Sequence, residues 1–230
     1  MWKSIAVLVA ALGLLPACPA AELTATEVRW LLGVWPVVVY AQQAGLSLDI
    51  VVQPQPTPGA PPLALAFVAG RCKLVLSMRG NAEVQATLDR IEPELLDVTL
   101  ELMAAHELGH CRRYLEGAWH GLPAGFVAAV SAAPTRELRD AYADIQATRR
   151  EEGYGDLVGL AWTQRHHPRQ YATLHAWLWA ERSRERTPGS PHDTLAWVRL
   201  ASHGMVFEPG PGAIFASAAA LWSAGLASPP

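Results

Sequence analysis

Cysteine is scarce in this chain, with three in 230 residues, too few for a small fold held together chiefly by disulfides. Long apolar runs are scarce too. The stretch Ile5 to Leu15 falls short of the roughly 20 residues that a membrane-spanning helix needs, and the apolar tail Ala213 to Ala227 is about as short and contains serines, so it reads as a packing helix. Charge of one sign is also missing in excess: 18 basic residues face 21 acidic ones, a formal balance of −3. That balance argues against a polyanion partner. Basic residues do gather at Arg149-Arg150 and from Arg182 to Arg186, but acidic neighbours interrupt them, so solvated helix faces are expected and no nucleic acid. About half of the residues are hydrophobic, enough for one sizeable core.

The first 20 residues read as a secretory signal: Lys3, then the apolar run, then small residues. Leu15-Pro16-Ala17-Cys18 resembles a lipobox, in which a lipidated Cys18 would attach the chain to a membrane. Ordinary cleavage after Ala20 is the rival reading, and both stay open. Either one places residues 21–230, a single domain, in the periplasm or cell envelope. In that compartment Cys72 and Cys111 form a disulfide or remain two small buried thiols.

What the chain does have is His106-Glu107-Leu108-Gly109-His110. A random chain of this composition and length would show His-Glu-x-x-His about 0.02 times. The two histidines are four residues apart, so on a helix their rings lie one above the other and can reach a single ion. Zinc suits such a pair because it accepts neutral imidazole and acidifies bound water, which Glu107 can hold and deprotonate. Leu100, Ala104, Leu108, Cys111 and Leu115 make an apolar stripe along the same segment. Pro93 opens this helix and Gly117 offers its stop.

Around it the pattern gives helices and a few strands. Thr24 to Glu27 has capping-box spacing for a helix to about Leu32, and a second helix is expected from Pro36 to Ala44. Leu46 to Gln53 alternates as a strand. Five prolines make Pro54 to Pro62 a loop, and Leu63 to Val68 with Cys72 to Met78 form a hairpin about Ala69-Gly70-Arg71. Helical runs follow at Asn81 to Arg90, Glu137 to Ala147, Tyr154 to His166, Pro168 to Ser183 and beyond Thr194. The tryptophans, from Trp30 and Trp35 to Trp162, Trp177 and Trp179, read as packing residues, and His166-His167 as a surface loop. His120 follows no familiar ligand spacing. The fold class expected is α+β: a mostly helical, zincin-like domain with a small antiparallel sheet beside the His-Glu-x-x-His helix.

Asp140 and Asp144 share a helix face, and the alanines around them suggest close packing. With His106-Glu-x-x-His110 some thirty residues earlier, Asp140-Ala-Tyr-Ala-Asp144 resembles the gluzincin peptidases of the HtpX and CAAX-prenyl-endopeptidase type. Those carry Glu-x-x-Ala-Asp on a later helix. The resemblance implies zinc held by His106, His110 and Asp140, with Asp144 supporting the ligands, and it departs from the family in having aspartate for glutamate at 140. Pro191-His192 is similar to the segment that faces the oxyanion in those enzymes, which implies that His192 stabilises charge on the scissile carbonyl. The function expected is an exported zinc-dependent peptidase acting on a peptide or protein substrate, with Glu107 as general base. The alternative is a catalytically inactive envelope lipoprotein or structural protein that retains a metal site.

Overall fold

The structure is a computed structural model and describes residues 22–116, 135–184, 190–210 and 213–227. It is a mostly helical α+β fold with one small sheet. The expected signal with Cys18, the expected stop at Gly117, and His120 lie outside the described residues. No helix of the described residues is long and apolar enough to cross a membrane.

Helix α1, Ala25–Gln43, starts at the expected cap: Thr24 and Glu27 exchange both capping bonds, and Arg79 pins Glu27 with an ion pair of 2.8 Å. It is one helix where the sequence suggested two. Pro36 sits inside it on the exposed side, where the carbonyl that loses its helical bond can be hydrated. Trp30 is buried as expected, whereas Trp35 is exposed.

Strands β1 (Leu48–Gln53), β2 (Leu63–Val68) and β3 (Arg71–Ser77) form a sheet of order β1-β3-β2. The hairpin is where the sequence put it, with Ala69 and Gly70 both at positive φ, as its two-residue turn requires. The sheet is mixed rather than wholly antiparallel. The proline-rich loop is long enough to carry the chain past the place that β3 later takes, so β3 pairs parallel with β1 and β2 becomes an edge.

Short helix α2, Ala82–Leu88, and a 3-10 turn at Pro93–Leu95 lead into α3, Leu96–Glu116. Leu100, Ala104, Leu108 and Cys111 of its apolar stripe are buried, and Leu115 at its end is exposed. Cys72 and Cys111 are joined as a disulfide, tying β3 to α3 one residue past His110. Helix α4 runs unbroken from Arg136 to His166, and α5 (Tyr171–Arg184), α6 (Leu195–Leu200) and α7 (Ala213–Ala227) pack around it. Trp162 and Trp197 are core residues, while Trp177 and Trp179 are half-buried. His167 is more than a surface residue, for its Nε2 meets the Glu101 carboxylate at 2.7 Å and Glu101 also accepts from the Trp162 indole.

The contact between α3 and α4 positions the site. It is close because glycines face it: a Cβ on Gly109 would lie 3.1 Å from the Gly155 backbone, and one on Gly159 would lie 2.9 Å from the Leu102 carbonyl. Glycine costs helix stability, so its placement at this contact identifies where the two backbones must approach.

Candidate metal centre

His106 and His110 project from adjacent turns of α3, and their Nε2 atoms are 3.0 Å apart. Glu152 of α4 completes a triad. One of its oxygens lies 3.3 Å from His106 Nε2 and the other 3.5 Å from His110 Nε2. These three residues offer donor atoms that all lie within 4.8 Å of one another, an arrangement able to hold one metal ion. Both histidines are buried and the glutamate nearly so.

A second layer fixes the first. Asp156, one helical turn after Glu152 and wholly buried, meets His106 Nδ1 at 2.9 Å. An ionised carboxylate there accepts the Nδ1 proton and leaves the Nε2 lone pair aimed at the triad. Arg182 of α5 clasps Asp156 with two nitrogens, at 2.6 and 2.9 Å, and its guanidinium also lies 3.6 Å from Glu152. The Thr194 hydroxyl donates to the same aspartate. Gly155 lets the ring fit: a Cβ there would be 2.8 to 3.0 Å from three atoms of the His106 imidazole.

The electrostatics follow from this packing. Burial opposes a charge on His106, but hydrogen bonds and attraction from Asp156 and Glu152 outweigh it and bring the ring up to about 10. Burial likewise opposes charge on both carboxylates. Arg182 and His106 nevertheless hold Asp156 low, and His110 and His106 hold Glu152 well below the usual carboxylate range. Without metal, His106 therefore keeps a second ring proton, on Nε2, at neutral pH, and an incoming cation must displace it to reach the lone pair. Burial raises the Glu107 carboxyl against the pull of His106 and His110 and, more weakly, of the Leu65 backbone N–H on the sheet edge.

Of the residues singled out from sequence, His106, His110 and Glu107 come together and His192 stands at the rim, its Nε2 3.6 Å from Glu152 and its side chain 45% exposed. Asp140 and Asp144 do not join them. Asp140 is 70% exposed, paired only loosely with Arg136 at 3.7 Å, and Asp144 is exposed on the same first turns of α4. The physical reason is helix length. As α4 is continuous, the stretch that crosses α3 lies three turns further on, so Glu152 takes the place expected for Asp140 and Asp156 that expected for Asp144. Sequence did carry a signal for this, Glu152-Gly-Tyr-Gly-Asp156, with the same spacing as Glu-x-x-Ala-Asp and glutamate at its head.

Compared with family models, curated proteins and solved structures, the chain shows no match.

Proposed function

We propose that this chain is an exported zinc-dependent peptidase that resembles the gluzincins, with His106, His110 and Glu152 as its metal ligands and Glu107 as its general base. The observation that carries the proposal is the convergence of those three donors beside Glu107. Zinc fits the donor set. A tetrahedral zinc ion with bonds of about 2.0–2.1 Å has its donors about 3.3 Å apart. Here the two imidazole nitrogens are 3.0 Å apart, each lies 3.3 or 3.5 Å from a different oxygen of Glu152, and one donor atom from each residue falls within 4.8 Å of the others, close enough for one such ion to draw them in. Three protein donors, two imidazoles and a carboxylate, also leave a fourth position for solvent, which distinguishes catalytic from structural zinc sites. Zinc held in this way would acidify water and polarise a scissile carbonyl.

The remaining work falls to the chain. Asp156 and Arg182 keep His106 in the tautomer that offers Nε2 inward. Glu107 takes the proton of the attacking water and returns it to the leaving amine. His192 is assigned to the carbonyl oxygen, where negative charge grows. A buried disulfide between Cys72 and Cys111 favours an oxidising compartment and so an exported chain. The test is Glu107→Gln: zinc per chain stays near one and peptide turnover falls at least about a hundredfold. Unaltered hydrolysis in that variant overturns the reading.

A further inference from the structure

The free edge of β2 meets α3 at two places. The first is near Leu65, whose backbone N–H acts on the Glu107 carboxylate. The second lies further along both elements. Phe67 is two residues past Leu65, about 7 Å along the strand on the same side. Tyr114 is seven residues past Glu107, which brings it about 10 Å along the helix and back to nearly the same side. Their rings stack there, with centroids 5.2 Å apart and planes 3° from parallel.

The pair is held rigidly and yet open. Phe67 faces Cys72 across the hairpin, and Cys72 is bonded to Cys111, which lies on α3 three residues before Tyr114. One disulfide therefore fixes the spacing of strand and helix at the stack. Phe67 is 37% exposed although it is a large apolar ring, and Val68 and Leu115 beside the pair are exposed as well. Burial raises the Tyr114 phenol, and so do the carboxylates of Glu151, Glu107 and Glu152, which places the ring in the electrostatic neighbourhood of the triad.

We propose that the Phe67–Tyr114 stack is a specificity shelf for the candidate site, taking an aromatic or large aliphatic side chain of a peptide laid beside the metal cluster. An apolar side chain gains there by covering ring surface that now faces water. An acidic side chain gains nothing from the negative ring faces and would be repelled by Glu107 and Glu152 nearby. The shelf rests on the peptidase reading above, and its test separates the two.

The test measures binding by calorimetry to the zinc-loaded protein. The probes are a matched series of dipeptide hydroxamates that share the chelating group and carry benzyl or methyl at one position at a time. At one position benzyl is expected to bind about tenfold more tightly than methyl. In Phe67→Ala, a truncation at the exposed end of an edge strand, that ratio is expected to fall below about threefold, and likewise in Tyr114→Leu. General damage to the cluster weakens both probes and leaves their ratio alone. Equal binding of the two probes to the wild type at every position, or a ratio that survives in both variants, overturns the shelf and leaves the metal site standing. Failure of every hydroxamate to bind overturns the metal site and the shelf with it.

Discussion

Replacing Asp156 with Asn separates two jobs that one carboxylate performs. The first is to hold His106 through Nδ1, and loss of such a supporting partner typically weakens a metal site 10–100-fold, about 1.4–2.7 kcal/mol. The second is to neutralise Arg182 in a buried setting. One-sided removal of a buried ion pair costs about 3–5 kcal/mol, and Arg182 retains Glu152 at 3.6 Å, so the low end, about 3 kcal/mol, applies. Zinc affinity is read by competition with a chelating dye, and stability by urea unfolding in EDTA. The decisive step is to add Arg182→Met. Once the orphaned cation is gone, most of the lost stability should return, whereas zinc affinity should stay 10–100-fold down because His106 still lacks its anchor. Zinc affinity within twofold of wild type in Asp156→Asn, or restored in the double variant, would refute the reasoning.

Three further outcomes are expected. Glu151 is wholly buried beside Arg113, and burial outweighs that cation to lift its carboxyl from an ordinary value near 4.5 to about 7. Its contribution to stability is then complete below pH 4.5 and lost as pH rises through 7, a decline of up to about 3 kcal/mol that Glu151→Gln should remove from metal-free unfolding curves. Gly155→Ala places a methyl group against the His106 ring, and the overpacking cost of about 1–3 kcal/mol should exceed the helix gain of up to about 1 kcal/mol, lowering Tm and weakening zinc by at least about tenfold. Asp140→Asn should leave zinc affinity unchanged and shift stability by no more than about 0.5 kcal/mol, as for an exposed residue with a loose ion pair.

The parts of this molecule legible in its sequence are those fixed by short-range spacing. His106 and His110 share a helix face whatever surrounds them, the hairpin follows from Ala69-Gly70, and Thr24 with Glu27 marks a helix start. The third donor was not legible in the same way. Helix α4 carries two acidic pairs at four-residue spacing, 140 with 144 and 152 with 156, and local pattern treats them alike. What decides between them is depth. Ala141 and Ala143, which suggested close packing, are exposed, whereas Gly155 and Gly159 lie where α4 crosses α3. Glycine in a helix interior is unfavourable unless a neighbour needs the space, and that is the signal the second pair had and the first lacked. The mixed sheet escaped the pattern for a related reason, since strand order depends on a crossing made by an irregular loop.

The sulfur bridge between the central strand and the histidine-bearing helix closes a loop with a separation of 39 residues. A closure of that length removes about 4 kcal/mol of chain freedom from the unfolded ensemble. A chain kept reduced during synthesis would forgo that restraint, and its edge strand and its histidines would be joined by packing alone. Completing the bridge after arrival in an oxidising space would make maturation the moment at which the cluster and the stacked rings acquire their fixed spacing, so that competence to act follows location.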